Sequence, residues 1–91
     1  MAGIAAIITK VMPESPDADL NKIKKEAEAI LQKHGAMNIS VEEKPVAFGL
    51  KALFFKFAWP EEKDTSLIEN SLGKIKGVSS ASIEDYRRAF G

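Results

Sequence analysis

The order of local patterns in this 91-residue chain predicts an α+β fold, in which two helices cover one face of a four-stranded antiparallel sheet. Two stretches repeat apolar residues at helical spacing, and each of them lies between stretches that alternate as strands do. A chain of this length hides only about 60–65% of the surface that its unfolded form exposes, so a second core is excluded. We therefore expect one domain over residues 1–91.

Strand one is predicted over residues 4–12, where Ile7, Thr9 and Val11 share one face. The apolar N-terminal run resembles a signal peptide, but it lacks a basic start and a cleavage site. Lys10 interrupts the run too early for a membrane span of about 20 residues. Two prolines then predict a loop over residues 12–17.

Helix one is predicted over residues 19–34, with Asp17 as its N-cap and Gly35 as its left-handed end. Its predicted core face consists of Leu20, Ile23, Ala27, Ile30 and Leu31.

Residues 37–43 alternate as a half-buried second strand, with Met37, Ile39 and Val41 predicted to face inward. Residues 45–49 form a turn that leads into strand three. The predicted core face of strand three is formed by Leu53, Phe55, Phe57 and Trp59. Leu50 is out of phase with that set, which predicts a bulge near Lys51-Ala52 and places Phe54 on the other face beside Lys56.

Helix two is predicted to begin after a cap at Asp64 or Thr65, with a possible capping box over residues 66–69. Its apolar stripe is Ile68, Leu72 and Ile75. Gly77 ends the connection, residues 78–86 alternate as strand four, and residues 87–91 form a tail. The order strand–helix–strand–strand–helix–strand is that of the ferredoxin-like split βαβ sandwich.

The composition excludes several classes of function. Thirteen basic and thirteen acidic residues cancel, so the global field predicts no direct nucleic-acid partner and no membrane partner. The chain has no cysteine, which fits a reducing cytoplasm and excludes thiolate metal sites. His34 is the single histidine, and adjacent acids on strands face opposite ways. We expect no enzyme chemistry of its own, no metal and no cofactor.

The hairpin between strands two and three offers the clearest candidate for binding. Phe48 is a large aromatic at the predicted tip, where no sequence partner surrounds it, so we expect it to be presented to another molecule. Pro45 and Gly49 would fix its presentation, and Lys51 is a polar contact at the rim.

Two other functions of the same fold remain open at this point. Strand aromatics such as Phe54 and Phe55 suggest an RNA-recognition sheet. The RNA motif, however, requires a basic residue, a glycine and a second aromatic where this chain has Val46, Ala47 and Leu50. A regulatory domain that binds a small ligand is the other alternative.

Four segments carry a resemblance to a known family: residues 10–20 (KVMPESPDADL), 45–53 (PVAFGLKAL), 77–79 (GVS) and 85–88 (DYRR). On these the chain resembles the archaeal translation elongation factor 1-beta family of guanine-nucleotide exchange factors. The resemblance implies a ferredoxin-like fold and a partner, elongation factor 1-alpha, the GTPase that carries aminoacyl-tRNA. It implies an exchange factor that hastens GDP release so that GTP can load. It is expected to act as a cytoplasmic monomer.

The resemblance also implies roles for particular residues. The hairpin aromatic, here Phe48, would dock into the GTPase near its nucleotide site, and the C-terminal end would reach toward the bound magnesium. Eukaryotic members place a lysine near their C-terminus for that purpose. Gly91 stands about there in this chain, and the nearest basic residues are Arg87 and Arg88.

Overall fold

The computed structural model describes residues 3–89 and contains six regular elements. They are β1 (Ile4–Pro13), α1 (Leu20–Lys33), β2 (Met37–Pro45), β3 (Lys51–Pro60), α2 (Ser66–Gly73) and β4 (Val78–Ala89). This order confirms the ferredoxin-like α+β fold. Within the described residues, no helix is long and apolar enough to cross a membrane.

The strands form one antiparallel sheet in the order β2-β3-β1-β4. Pro13 pairs with Val78 at one end of β1, and Ile4 pairs with Ala89 at the other. The hairpin between β2 and β3 projects beyond the Pro13 end, because Val11 pairs with Leu53 near the start of β3. The hairpin tip and the C-terminal end of β4 therefore lie at opposite ends of a molecule that is 44 Å long.

One core lies between the helices and one face of the sheet. The largest fully buried side chains of this core come from β1, α1, β3 and α2. They are Trp59, Phe55, Ile7, Leu31, Leu53, Ile68, Leu72, Val11 and Thr9. The predicted core face of strand three is confirmed, since Leu53, Phe55, Phe57 and Trp59 are at most 2% exposed. The apolar faces of α1 and α2 join the same cluster. This single cluster makes the sheet a rigid support for the loops at its ends.

The second strand differs from its prediction at its first residues. Met37 is 42% exposed instead of facing the core, and Asn38 has a left-handed backbone with φ of 54°. The pairing with β3 is irregular between Met37 and Ser40, so an extra residue is accommodated there. The predicted bulge near Lys51-Ala52 is wrong, because the register is continuous across those two residues.

Both helix starts are capped by aspartates. In α1 the N-cap is Asp19 and not Asp17, since the Asp19 carboxylate accepts a hydrogen bond from the Lys22 amide at 3.2 Å. In α2 the Asp64 carboxylate accepts from the Ser66 amide at 2.9 Å. The helix begins at Ser66, so the predicted capping box over residues 66–69 does not form.

The predicted tail is largely strand. β4 continues through Ala89, so Arg87 and Arg88 belong to the sheet and are held in register with β1. Gly91 lies outside the described residues. The extension follows from β1, whose first residues provide a hydrogen-bonding edge for the C-terminal segment.

Candidate functional site

The hairpin tip is a tight turn that closes the β2–β3 ladder. Residues Ala47–Gly49 form a tight turn in which both Phe48 and Gly49 have positive φ, and the Val46 amide donates to the Leu50 carbonyl at 2.8 Å. Leu50 thus belongs to the tip and not to β3, which begins at Lys51. Because Leu50 precedes β3, it does not take part in the alternation of core and open-face residues along that strand. No bulge is therefore needed to bring it into register.

Phe48 stands at the top of this turn and is 93% exposed. Its backbone is left-handed, with φ of 63° and ψ of 29°, which is an uncommon conformation for a residue with a bulky side chain. Such a conformation costs on the order of 1 kcal/mol or more and persists only where the surrounding structure imposes it. Phe48 therefore combines backbone strain with an apolar ring in water, and neither stabilises this chain.

The residues beside Phe48 hold the turn in place. Pro45 pairs with Lys51 across the base of the hairpin, and both are exposed. Gly49 has φ of 75°, which glycine adopts without the steric cost that other residues meet. A shallow cleft of about 150 Å³ lies beside the tip and is lined by Pro13, Ser15, Pro16, Leu20, Gly49 and Lys51. The loop after β1 thus lies against the hairpin, although sequence reasoning assigned it no role.

Arg87 and Arg88 lie far from the tip. Arg87 pairs with Ala6, and Ala6 pairs with Ala58 of β3. Ala58 lies seven residue steps along β3 from Lys51, which corresponds to roughly 23 Å of strand. The six residues predicted for partner binding therefore form two groups, one at each end of the sheet.

Both arginines are exposed and are held by carboxylates. The Arg87 guanidinium lies 3.0 Å from the Asp85 carboxylate, and that of Arg88 lies 3.2 Å from Glu61. Exposed pairs of this kind are worth about 0–1 kcal/mol, so a partner's anion can displace them at little cost. The arrangement presents two cations at the end of β4.

No cluster of three or more histidine or acidic residues that could bind a metal occurs within residues 3–89. His34 caps the end of α1, where its carbonyl accepts a hydrogen bond from the Lys63 ammonium. The Ser66 amide, and then its hydroxyl, hold the pKa of the Asp64 carboxyl below its ordinary value, which is a structural effect at the start of α2.

Comparison with known proteins gives the same family throughout. The family model described as the EF-1 guanine nucleotide exchange domain matches residues 6–89. A protein called Elongation factor 1-beta from Methanothermobacter thermautotrophicus is 40% identical, over 97% of this chain and 98% of its own length.

Two further archaeal relatives carry the same name. That from Methanosarcina barkeri is 35% identical, over 97% of this chain and 99% of its own length. That from Halobacterium salinarum is 34% identical, over 97% of this chain and 99% of its own length. These matches extend over both ends of the sheet and include the hairpin tip. The chain belongs to the family of EF-1 guanine nucleotide exchange domains.

Proposed function

We propose that this chain promotes GDP release and GTP loading on translation elongation factor 1-alpha by inserting the Phe48 ring into an apolar pocket of that GTPase. The observation that carries the proposal is a 93% exposed phenylalanine held in a left-handed backbone at the tip of a rigid hairpin. Family membership supports the exchange activity, and the tip supplies a physical means for it.

An exchange factor needs no acid, base or nucleophile. It needs a higher affinity for the GTPase without nucleotide than for the GTPase with it. Because binding free energies are reciprocal, a factor that weakens nucleotide binding is itself weakened equally by the nucleotide. A ring that enters a pocket only when the GTPase is open provides that difference.

The position of Phe48 suits such a contact energetically. Burying a fully exposed phenylalanine yields about 1.5–3 kcal/mol, and little reorganisation is needed because the turn already fixes the ring's backbone. Pro45, Gly49 and Lys51 would surround the ring at the rim of the interface. In this proposal they position the ring and do not react.

Arg87 and Arg88 form the second contact in this proposal. They lie roughly 23 Å or more from the tip along the sheet, so both groups engage together only on a broad partner surface. Each arginine has a guanidinium suited to carboxylate or phosphate oxygens. We propose that one of them replaces the C-terminal lysine of the eukaryotic relatives near the GTPase's magnesium.

The test is release of a fluorescent GDP analogue from the cognate elongation factor 1-alpha, with substoichiometric amounts of this chain. We expect Phe48→Ala to weaken productive docking by about 2 kcal/mol or more, which is roughly 30-fold. The matched control is Leu67→Ala, which removes another exposed apolar side chain from α2. Equal exchange by the Phe48 variant and the wild type would remove the ring from the mechanism.

The proposed mechanism requires only one copy of this chain for each GTPase. We propose that the factor is monomeric. Sedimentation at the concentrations of the exchange assay tests this point. A stable dimer would contradict the proposal of a monomer, and exchange by such a dimer would require that both hairpin tips remain accessible.

A further inference from the structure

The face of the sheet that the helices leave uncovered has a chemistry that exchange activity does not use. Pairing across the strands places Glu42, Phe54, Lys10 and Ser82 in one row of this face. The next row consists of Ser40, Lys56, Ile8 and Asp85. We call these two rows, together with Lys44 beside Phe54, the open-face patch.

The aromatic ring at the centre of the patch is partly accessible. Phe54 is half-buried, whereas its neighbours Leu53 and Phe55 are fully buried on the other face. The Lys44 ammonium lies over the Phe54 ring, 5.1 Å from its centroid, so a base stacked on that face takes the place of this exposed ammonium. A cavity of about 130 Å³ opens beside the ring and is lined by Ile8, Ser40, Glu42, Lys44, Phe54 and Lys56. The Phe54 ring thus forms part of the wall of this cavity.

Charge on the patch is positive although the chain as a whole is neutral. Glu42 is paired with Lys44 at 3.7 Å, and Asp85 is paired with Arg87 at 3.0 Å. Among the described residues, no carboxylate lies within ion-pair distance of Lys10 or Lys56. These two lysines are diagonal neighbours, roughly 7–8 Å apart across the strands, and Lys10 lies directly opposite Phe54.

The patch favours a nucleic acid over a peptide strand. β1 and β3 are interior strands, so their backbone groups are paired within the sheet and the face offers side chains alone. A peptide that adds to a sheet needs a free edge. A single-stranded nucleic acid instead uses an aromatic side chain for base stacking and ammonium groups for its phosphates.

We propose that the open-face patch binds single-stranded RNA, with one base stacked on Phe54 and the flanking phosphates held by Lys10 and Lys56. The exposed hydroxyl of Ser40 lies diagonally across from Phe54, and that of Ser82 lies beyond Lys10; both are available to sugar or base edges. With two unpaired cations and one ring, the contact is short and strongly dependent on salt. The contact does not use Phe48, which lies beyond the end of the strands.

The test is a titration of the ¹⁵N-labelled chain with a short single-stranded oligoribonucleotide, followed by amide chemical shifts. We expect shifts in β1, β2 and β3 around Phe54 and none along α1. Between about 50 and 200 mM salt the affinity falls, with a slope of about −0.7 for each phosphate contacted. Absence of shifts at low salt, or shifts confined to other surfaces, overturns the proposal.

Substitutions separate the ring from the charge. Phe54→Leu keeps an apolar side chain but removes the stacking face, and it should weaken binding roughly 5- to 150-fold. Lys56→Glu should also weaken binding and reduce the salt slope by about 0.7. Lys25→Glu, the same charge change at an exposed position of α1, is the matched control and should leave binding unchanged.

A polyglutamate peptide distinguishes an acidic protein from RNA as the occupant. If the peptide binds as well as RNA and Phe54→Leu has no effect on either, the patch binds acidic protein surfaces and the RNA proposal is wrong. If Lys25→Glu weakens RNA binding as much as Lys56→Glu does, the binding is non-specific and the proposal is likewise wrong.

Discussion

Phe48 and Phe55 lie seven positions apart on one hairpin and are used in opposite ways. Phe55 is 0% exposed and packs in the hydrophobic core, whereas Phe48 is 93% exposed and lies outside that core. The core residue adopts ordinary strand geometry, and the tip residue adopts a left-handed one. The same type of side chain therefore stabilises the fold at position 55. At position 48 it costs free energy, through backbone strain and an exposed ring, which burial in a partner would offset.

The largest expected effect tests the core half of the comparison. Phe55→Ala should lower the free energy of unfolding by about 3–5 kcal/mol, because it removes a buried ring and leaves a cavity. Urea unfolding followed by tryptophan fluorescence measures this, since Trp59 lies in the same core. A change below 1 kcal/mol would mean that the core relaxes around the missing ring.

The next effect tests the tip half. Phe48→Gly should leave the fold intact and raise the free energy of unfolding by up to about 1 kcal/mol, because glycine adopts the left-handed backbone without steric cost. Exchange on elongation factor 1-alpha should be lost in the same variant. A variant that is both stabilised and inactive would show that Phe48 lowers the stability of the fold and serves exchange; a destabilised one would show that Phe48 supports its own domain.

An effect of opposite sign on stability probes the turn that connects the two regions. Gly49→Ala places a methyl group in open space, since nothing lies within 4 Å, yet the φ of 75° is unfavourable for alanine. We expect a loss of roughly 1–2 kcal/mol in stability, together with slower exchange as the tip rearranges. Gly73→Ala in α2 is the control, because its surroundings are equally open and its backbone is helical.

The smallest effect lies away from both regions, at the start of α2. The pKa of the Asp64 carboxyl is lowered by the Ser66 amide, so the cap stabilises the fold above the carboxyl's unfolded pKa and ceases to do so as pH falls through the folded pKa. Thermal unfolding of Asp64→Ala should therefore differ from wild type at neutral pH and converge with it in acid. Exchange activity should be unchanged at neutral pH, because the cap contributes nothing to the tip.

Most of the fold followed from pattern, and the exceptions have local causes. The core positions of β3 were predictable because strand alternation has a fixed period. The exposure of Met37 was not, because the left-handed backbone of Asn38 shifts the strand's register and has no periodic signature. Asp17 and Asp19 are equally good N-cap residues in the sequence. Only Asp19 lies where its carboxylate can accept a hydrogen bond from an amide of the first helical turn.

The candidate site was partly predictable for the same reason. Exposure of Phe48 follows from its position in a turn between two strands, but its left-handed backbone does not. The separation of Arg87 from the tip was contained in the predicted topology, because β4 runs antiparallel to β1 and so ends away from the hairpin. The positive charge of the open face could not be predicted from the net charge of the chain, which is zero. Only the strand register shows which charged residues share that face.

A hydrogen bond between α2 and β4 bears on the free edge of the sheet. Glu69 of α2 accepts a hydrogen bond from the Ile83 amide of the outermost strand β4 at 3.2 Å. A foreign β-strand that sought to extend the sheet at this point would meet a carboxylate already bound to the donor it needs. At this one position, an acidic side chain therefore opposes the edge-to-edge pairing by which sheets join into fibres.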